Sequence, residues 1–209
     1  PRQLAAIKAV VFALCLVPLA MLGWGLYDDT LGANPIESVI RNLGRWALKF
    51  LLITLAVTPL RNLTGQHWLI RLRRMLGLFC FFYALLHWNT YLWLDQSLDW
   101  VEIARDVIKR PFITVGMLTF TLLLSLALTS TNAMVRRLGG ANWQKLHRIV
   151  YAAGVLAVLH FWWLVKSDIR EPAIYAGIAA LLLGWRAWKA IRTRANARAK
   201  VRNVPAARA

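Results

Sequence analysis

The sequence predicts an all-α integral membrane protein: a bundle of six transmembrane helices with both termini in the cytoplasm. Three observations predict it. Of the 209 residues 59% are hydrophobic, with a mean hydropathy of +0.50, whereas soluble domains contain about 45–50% apolar residues. The apolar residues form runs of membrane-spanning length, about 20 residues each. The basic residues are concentrated on alternate sides of these runs. Six crossings with short loops leave no length for an attached nucleotide-binding domain.

The six apolar runs were located with a membrane-sized window. They cover about 9–27, 44–60, 75–94, 112–130, 147–165 and 172–190. The first run is longer than a signal-peptide core and lacks a small-x-small cleavage site, so we interpret it as a retained helix. The runs organise the chain into a six-helix domain over 1–190 and a basic cytoplasmic tail over 191–209. We find no internal sequence repeat.

Three prolines help to delimit these runs, and a fourth lies inside one. Pro59 is expected to close the second run, while Pro111 opens the fourth and Pro172 opens the sixth. A missing amide hydrogen costs least at such positions. Pro18 lies inside the first run and is expected to kink it.

The charges fix the predicted orientation. With six crossings, one side receives 18 of the 26 basic residues and no acid, whereas the other receives eight basic residues and all nine acids. Because basic loops stay in the cytoplasm, both termini are predicted to be cytoplasmic. The net charge of +17 is thus explained by topology, with membrane lipid as its partner and no nucleic acid.

Cys15 and Cys80 lie within apolar runs and are interpreted as small hydrophobic residues.

Two histidines lie at membrane depth. His87 is in the third run and His160 in the fifth, 12 and 13 residues beyond the predicted cytoplasmic starts. At about 1.5 Å per residue both lie roughly 18–20 Å into the membrane, in its outer half. Two neutral imidazoles at one level on different helices suit axial ligation of a heme iron.

Other interpretations of this pair remain open. Zinc would need four ligands, and a proton relay usually includes intramembrane carboxylates, which these runs lack at that depth. Two independent histidines that bond to backbone or hydroxyl groups are the simplest alternative. A small transporter lined by histidines is a further one, and it would be colourless.

His147 stands 13 residues before His160, about 20 Å along a helix, which suits one cofactor in each leaflet. Thirteen steps leave the two rings roughly 140° apart, so a helix break or bulge would be needed for both to face inward. His67, in a polar loop, is interpreted as interfacial.

Two groups of basic residues are candidates for anionic parts of a cofactor. Arg41, Arg45 and Lys49 form one helical stripe that could reach heme propionates, or could snorkel to headgroups instead. Arg74, with its neighbours Arg71 and Arg73, lies at the predicted inner surface. These arginines could bind a flavin phosphate or a heme propionate, or they could only anchor the helix at the membrane surface.

Several segments of this chain resemble the MsrQ family, a subfamily of the ferric-reductase-like transmembrane proteins. They are RWALKFLLITLAVTPLR (45–61), RRMLGLFCFFYALLHWNTYLWLD (73–95), RPFITVGM (110–117), TSTNAMVRRLGGANWQKLHRIVYAAGVLAVLHFWWLVK (129–166) and EPAIYAG (171–177). The likeness runs from about 30 to 190, and the pattern of His87, His147 and His160 is its most specific part.

The resemblance implies a subunit of the bacterial inner membrane that binds heme b and FMN. It implies that electrons pass from the quinone pool or a cytoplasmic flavin reductase to a periplasmic molybdenum-containing methionine-sulfoxide reductase, so that this chain is not itself the catalytic subunit. His87 and His160 would hold an outer heme and His147 an inner one. Arginine stands where related oxidases have a second histidine in the third span, which leaves the number of hemes open. A self-contained ferric or quinone reductase is the alternative function.

Overall fold

The computed structural model describes the backbone of residues 2–165 and 167–202, and side chains as far as residue 196. Within this part of the chain, nine α-helices and no strand are found. The helices are α1 (Arg2–Tyr27), α2 (Pro35–Thr64), α3 (Arg73–Thr90), α4 (Trp100–Lys109), α5 (Pro111–Leu128), α6 (Asn132–Leu138), α7 (Gly140–His147), α8 (Ile149–Leu164) and α9 (Arg170–Arg202). A 3₁₀ segment covers His67–Arg71, and a π-helical turn, Tyr91–Asp95, extends α3.

Six of these helical segments are long and apolar enough to cross a membrane, which confirms the predicted fold class. They are α1, α2, α3 with its π-helical turn, α5, the α7–α8 segment and α9 up to Asn196. The short α4 and α6 lie in the connecting segments. Residues 191–202 continue α9, and 203–209 of the predicted tail lie outside the described residues.

The expectation that Pro59 ends the second helix is wrong. α2 continues to Thr64 and ends at Gly65, whose φ of 70° suits a glycine cap and whose N–H donates to the Arg61 carbonyl. Pro59 cannot donate to the Leu55 carbonyl one turn earlier. The guanidinium of Arg186, from α9, donates to that carbonyl instead, so a distant side chain allows the helix to continue through the proline.

α1 likewise continues through a proline, Pro18. The Tyr83 hydroxyl, from α3, donates to the Cys15 carbonyl at 2.8 Å and accepts from the Leu19 N–H at 3.2 Å. It therefore stands between a donor and an acceptor that would bond to each other in a regular helix. Tyr83 is completely buried, and it fastens α3 to the proline-containing turn of α1.

The core is centred on α2, which contributes the largest share of the buried apolar residues. Phe50 on α2 stacks on Tyr83 with ring centroids 5.2 Å apart, and Phe79 lies against the same ring of Phe50 at 5.9 Å. Cys15 and Cys80 are free and buried in this cluster, as their apolar surroundings predict. α2 thereby provides the wall against which α3, α8 and α9 pack.

The outer connection between α3 and α5 contains an amphipathic helix, α4. Asp99 caps its N-terminus by accepting from the Val101 and Glu102 N–H groups. Asp106 is buried and bonds to Arg110 Nε at 3.2 Å and to the Tyr91 hydroxyl at 3.3 Å. These two acids therefore stabilise the loop itself.

Candidate functional site

The structure brings His87 and His160 together near the C-terminal ends of their helices. His87 lies three residues before the end of α3, and His160 lies four residues before the end of α8. Their ring centroids are 6.3 Å apart and their planes cross at 75°. Both side chains are partly buried in the bundle.

Each ring is fastened by a hydrogen bond to the backbone of a neighbouring helix. His87 Nδ1 lies 2.9 Å from the Ile40 carbonyl oxygen in α2, and His160 Nδ1 lies 2.6 Å from the Phe112 carbonyl oxygen in α5. Because a carbonyl oxygen only accepts, each Nδ1 carries the proton and donates. Each neutral ring therefore has its lone pair on Nε2, the form in which imidazole binds a metal.

The same arrangement occurs twice in the chain. His87 follows its carbonyl partner by 47 residues, and His160 follows its partner by 48. In both cases the carbonyl belongs to the first turns of one helix and the histidine to the last turn of an antiparallel neighbour. This likeness concerns two histidine–carbonyl contacts and is not a repeat of the sequence.

The pair suits a metal that already has ligands of its own. No group of three or more histidine, cysteine, aspartate or glutamate side chains within the described segments could hold a bare ion. Two metal–nitrogen bonds of about 2 Å and two nitrogen-to-centroid distances of about 1.1 Å would separate the ring centroids by about 6.2 Å. The observed separation is 6.3 Å, close to that expected for two imidazoles that hold one metal between them.

Trp88 adds an unsatisfied donor beside His87. Its ring stacks on Phe120 of α5 at 4.7 Å, and its buried Nε1 has no hydrogen-bond partner among residues 2–165 and 167–202. Unpaired buried donors are rare because they cost free energy. The buried Nε1 of Trp185 in α9 is unpaired in the same way, so these donors alone do not mark a cofactor position.

His147 lies apart from this pair, at the end of α7. Its Nε2 is 3.2 Å from Thr129 Oγ1, and its ring stacks on Trp143 with centroids 3.9 Å apart. Thr129 donates to the Ser125 carbonyl at 2.7 Å, so its oxygen is placed to accept from His147 Nε2. The helix breaks at Arg148 between α7 and α8, and this is the kind of interruption that the phase difference from His160 required.

The remaining candidate residues are partnered within the protein. Arg45 Nη1 lies 3.8 Å from a Glu171 oxygen, and Lys49 Nζ lies over the Trp46 ring at 4.3 Å. Arg74 donates to Asn132 Oδ1 at 2.6 Å on the exposed inner surface. His67 is exposed in the 3₁₀ segment, as an interfacial position predicts.

Three residues near these groups were not identified from the sequence. Gly44 and Gly116 lie directly against the His87 and His160 rings. Arg186 was counted only as a cytoplasmic cation, but it lies half-buried between α2 and α9. The near-equal glycine-to-histidine separations, 43 residues from Gly44 to His87 and 44 from Gly116 to His160, were the one available signal for the glycines. The Arg186 contact spans 131 residues and had none.

Comparison with known proteins identifies similar chains over most of the length. Residues 43–158 match the family described as ferric reductase like transmembrane component, a range that contains His87 and His147 and ends just before His160. The protein-methionine-sulfoxide reductase heme-binding subunit MsrQ of Azospira oryzae is 58% identical over 92% of this chain and 83% of its own length. Its counterpart in Xanthomonas campestris pv. campestris (strain 8004) is 56% identical over 90% and 89%.

Proposed function

This chain belongs to the MsrQ family of ferric-reductase-like transmembrane proteins, and from that premise we propose that it is a heme-carrying electron-transfer subunit. It is a multi-pass membrane protein, consistent with the bacterial inner membrane. Its proposed task is to pass electrons across that membrane to a periplasmic methionine-sulfoxide reductase of the molybdenum-containing type, which repairs oxidised proteins. The catalytic chemistry would then belong to the partner.

His87 and His160 are the proposed axial ligands of heme b. The observation that carries this proposal is the crossed pair of rings, 6.3 Å apart, with both Nδ1 atoms engaged by backbone carbonyls. The bound heme would supply reversible one-electron transfer. The protein's contribution is to hold two neutral imidazoles in fixed orientation and to keep water away from the space between them.

Arg45 and Lys49 are the proposed contacts for the heme propionates. Arg45 follows Gly44, which packs on the His87 ring, so its side chain starts at the level of the ligand pair. Its contact with Glu171, at 3.8 Å, is long and partly exposed. Such an ion pair is weak, so the guanidinium can exchange the carboxylate for another anion at low cost.

The inner half of the membrane requires a second redox group in this proposal, because a ligand pair near the outer ends is about 20 Å from the level of His147. His147 is the proposed ligand of an inner heme. To bind through Nε2 it must leave Thr129, which accepts from that nitrogen in this structure.

FMN, with Arg74 near its phosphate, is the proposed alternative or additional group. The electron donor would be the quinone pool or a cytoplasmic flavin reductase.

Heme content measured on matched variants tests the ligand assignment. We expect a reduced-minus-oxidised heme b spectrum in the wild-type protein, and its loss for the outer heme in His87→Ala and in His160→Ala. His67→Ala, which alters an exposed histidine, should retain the spectrum and serves as the control. A colourless wild-type protein, or full spectra in both ligand variants, would overturn the proposal. Flavin extracted from the same samples tests FMN.

An assay without the partner protein distinguishes a self-contained reductase from an electron-transfer subunit. Reconstituted protein supplied with an electron donor and with ferric iron or a quinone should turn over slowly if the chain is a relay. Rapid sustained reduction of either acceptor without the partner would favour the self-contained enzyme.

A further inference from the structure

Gly44 and Gly116 occupy equivalent positions in the two halves of the ligand site. Gly44 comes four residues after Ile40 in α2, and Gly116 comes four residues after Phe112 in α5. A β-carbon added to Gly44 would lie 3.1 Å from both Cε1 and Nδ1 of His87. One added to Gly116 would lie 2.8 Å from Cε1 and 2.9 Å from Nδ1 of His160.

The spacing of four residues has a physical reason. In an α-helix, the carbonyl of residue i accepts from the N–H of residue i+4. The Cα–Cβ bond of residue i+4 tilts toward the helix N-terminus, so its β-carbon flanks that carbonyl. A glycine at i+4 leaves the flank open, and the carbonyl oxygen, which has a second lone pair, can accept from an imidazole lying flat against the helix.

Other glycines of the bundle do not share this role. An added β-carbon at Gly77 would meet only a Thr54 methyl group at an ordinary 3.7 Å, and one at Gly184 would meet nothing within 4 Å. Among the described residues, only Gly44 and Gly116 would bring a β-carbon against an imidazole. Glycine inside a helix is less favourable than alanine, so helix formation gives no reason for a glycine at either position.

We propose that Gly44 and Gly116 are positioning residues that set the orientation of the two heme-ligand rings, each by allowing one imidazole to lie on its helix and bond to the carbonyl one turn earlier. This inference rests on the proposed ligation by His87 and His160. The 75° angle between the ring planes is the property that these contacts fix. In a bis-imidazole ferric heme, the angle between the ligand planes controls the splitting of the iron d orbitals and hence the g values of the low-spin ion.

The two alanine variants should differ in severity. In Gly116→Ala the β-carbon would approach ring atoms more closely than real β-carbons do, so the His160 ring must rotate or the helices must separate. In Gly44→Ala a shift of a few tenths of an ångström at His87 is enough. Forced overpacking of this kind typically weakens a site by about 5- to 150-fold. We expect the greater loss of heme affinity in Gly116→Ala, and a displaced largest g value in both variants.

The experiment compares Gly44→Ala and Gly116→Ala with Gly77→Ala and Gly184→Ala. Heme affinity is measured by titration of the heme-free protein, and the g values by low-temperature electron paramagnetic resonance. The controls should keep both properties, since helix propensity alone favours alanine at all four positions. A wild-type g value together with wild-type affinity in Gly116→Ala would overturn the inference. If that variant does not fold, Gly44→Ala decides by the same two measurements.

Failure of this inference is distinguishable from failure of the proposed function. If His87→Ala and His160→Ala lose the heme while both glycine variants match the wild type, the ligands are right and the positioning role is wrong. If the histidine variants keep the heme, the ligand assignment fails whatever the glycine variants show.

Discussion

Removal of the Tyr83 hydroxyl tests how the bundle accommodates the proline in α1. Tyr83→Phe keeps the buried ring and its stacking on Phe50, but deletes both the bond to the Cys15 carbonyl and the bond from the Leu19 N–H. Hydrogen bonds between membrane helices contribute on average about 0.6 kcal/mol each, and a buried group left unpaired costs about 1–3 kcal/mol. We therefore expect the free energy of unfolding to fall by about 1–3 kcal/mol.

The assay is reversible unfolding in mixed micelles titrated with a denaturing detergent and followed by tryptophan fluorescence. Tyr27→Phe deletes the same hydroxyl from a ring that is 84% exposed, and should change the unfolding free energy by less than about 0.5 kcal/mol. The reasoning is refuted if Tyr83→Phe and Tyr27→Phe have the same stability. In that case the turn around Pro18 would tolerate its unpaired backbone groups without the tyrosine.

Three further substitutions probe other parts of the bundle. Arg186→Met leaves the Leu55 carbonyl without its donor and should lower the unfolding free energy by about 1–3 kcal/mol, whereas Lys189→Met, on the exposed face of α9, should have little effect in the same titration. Asp106→Asn weakens the contact with Arg110 and should speed amide hydrogen exchange throughout α4, which exposed Asp95→Asn should leave unchanged. His147→Ala should preserve the heme absorbance that depends on His87 and His160, and loss of that absorbance would mean that the two sites are not separate.

The number and order of the membrane helices could be predicted because they follow from composition over windows of about 20 residues. The extension of α2 beyond Pro59 could not, since it depends on a guanidinium 131 residues away in sequence. The same limit applies to Asp106. Nothing in its own stretch of sequence marks this acid as buried, yet it is buried and bonds to Arg110 and Tyr91. Local patterns predict helix type well, whereas they do not reveal which distant group satisfies a polar atom.

The similar depth of His87 and His160 was predictable, since both helices run in the same direction and both rings lie at similar distances from the helix starts. That the two rings meet depends on helix packing and is shown by the structure. Their orientation was not predictable, because the atoms that orient them are the backbone carbonyls of Ile40 and Phe112. A carbonyl is present at every position of a helix and leaves no mark on the sequence. For a histidine ring to reach such a carbonyl, the residue four positions after the carbonyl must be a glycine. That glycine is the one part of the contact that the sequence shows.

Because of this dependence, the glycines are the part of the orienting contacts that can be recognised in the sequence. In each half, a helix that begins near the outer side offers a carbonyl and then a glycine, and an antiparallel helix returns a histidine 47 or 48 residues after that carbonyl. Either half could be modified alone, since the two glycines lie on different helices. A chain that kept both histidines but carried a larger residue at Gly116 would therefore retain two potential ligands and lose their fixed orientation. If the proposed ligation is right, the histidines would determine whether heme is held, and the glycines would determine the angle between the two histidine rings.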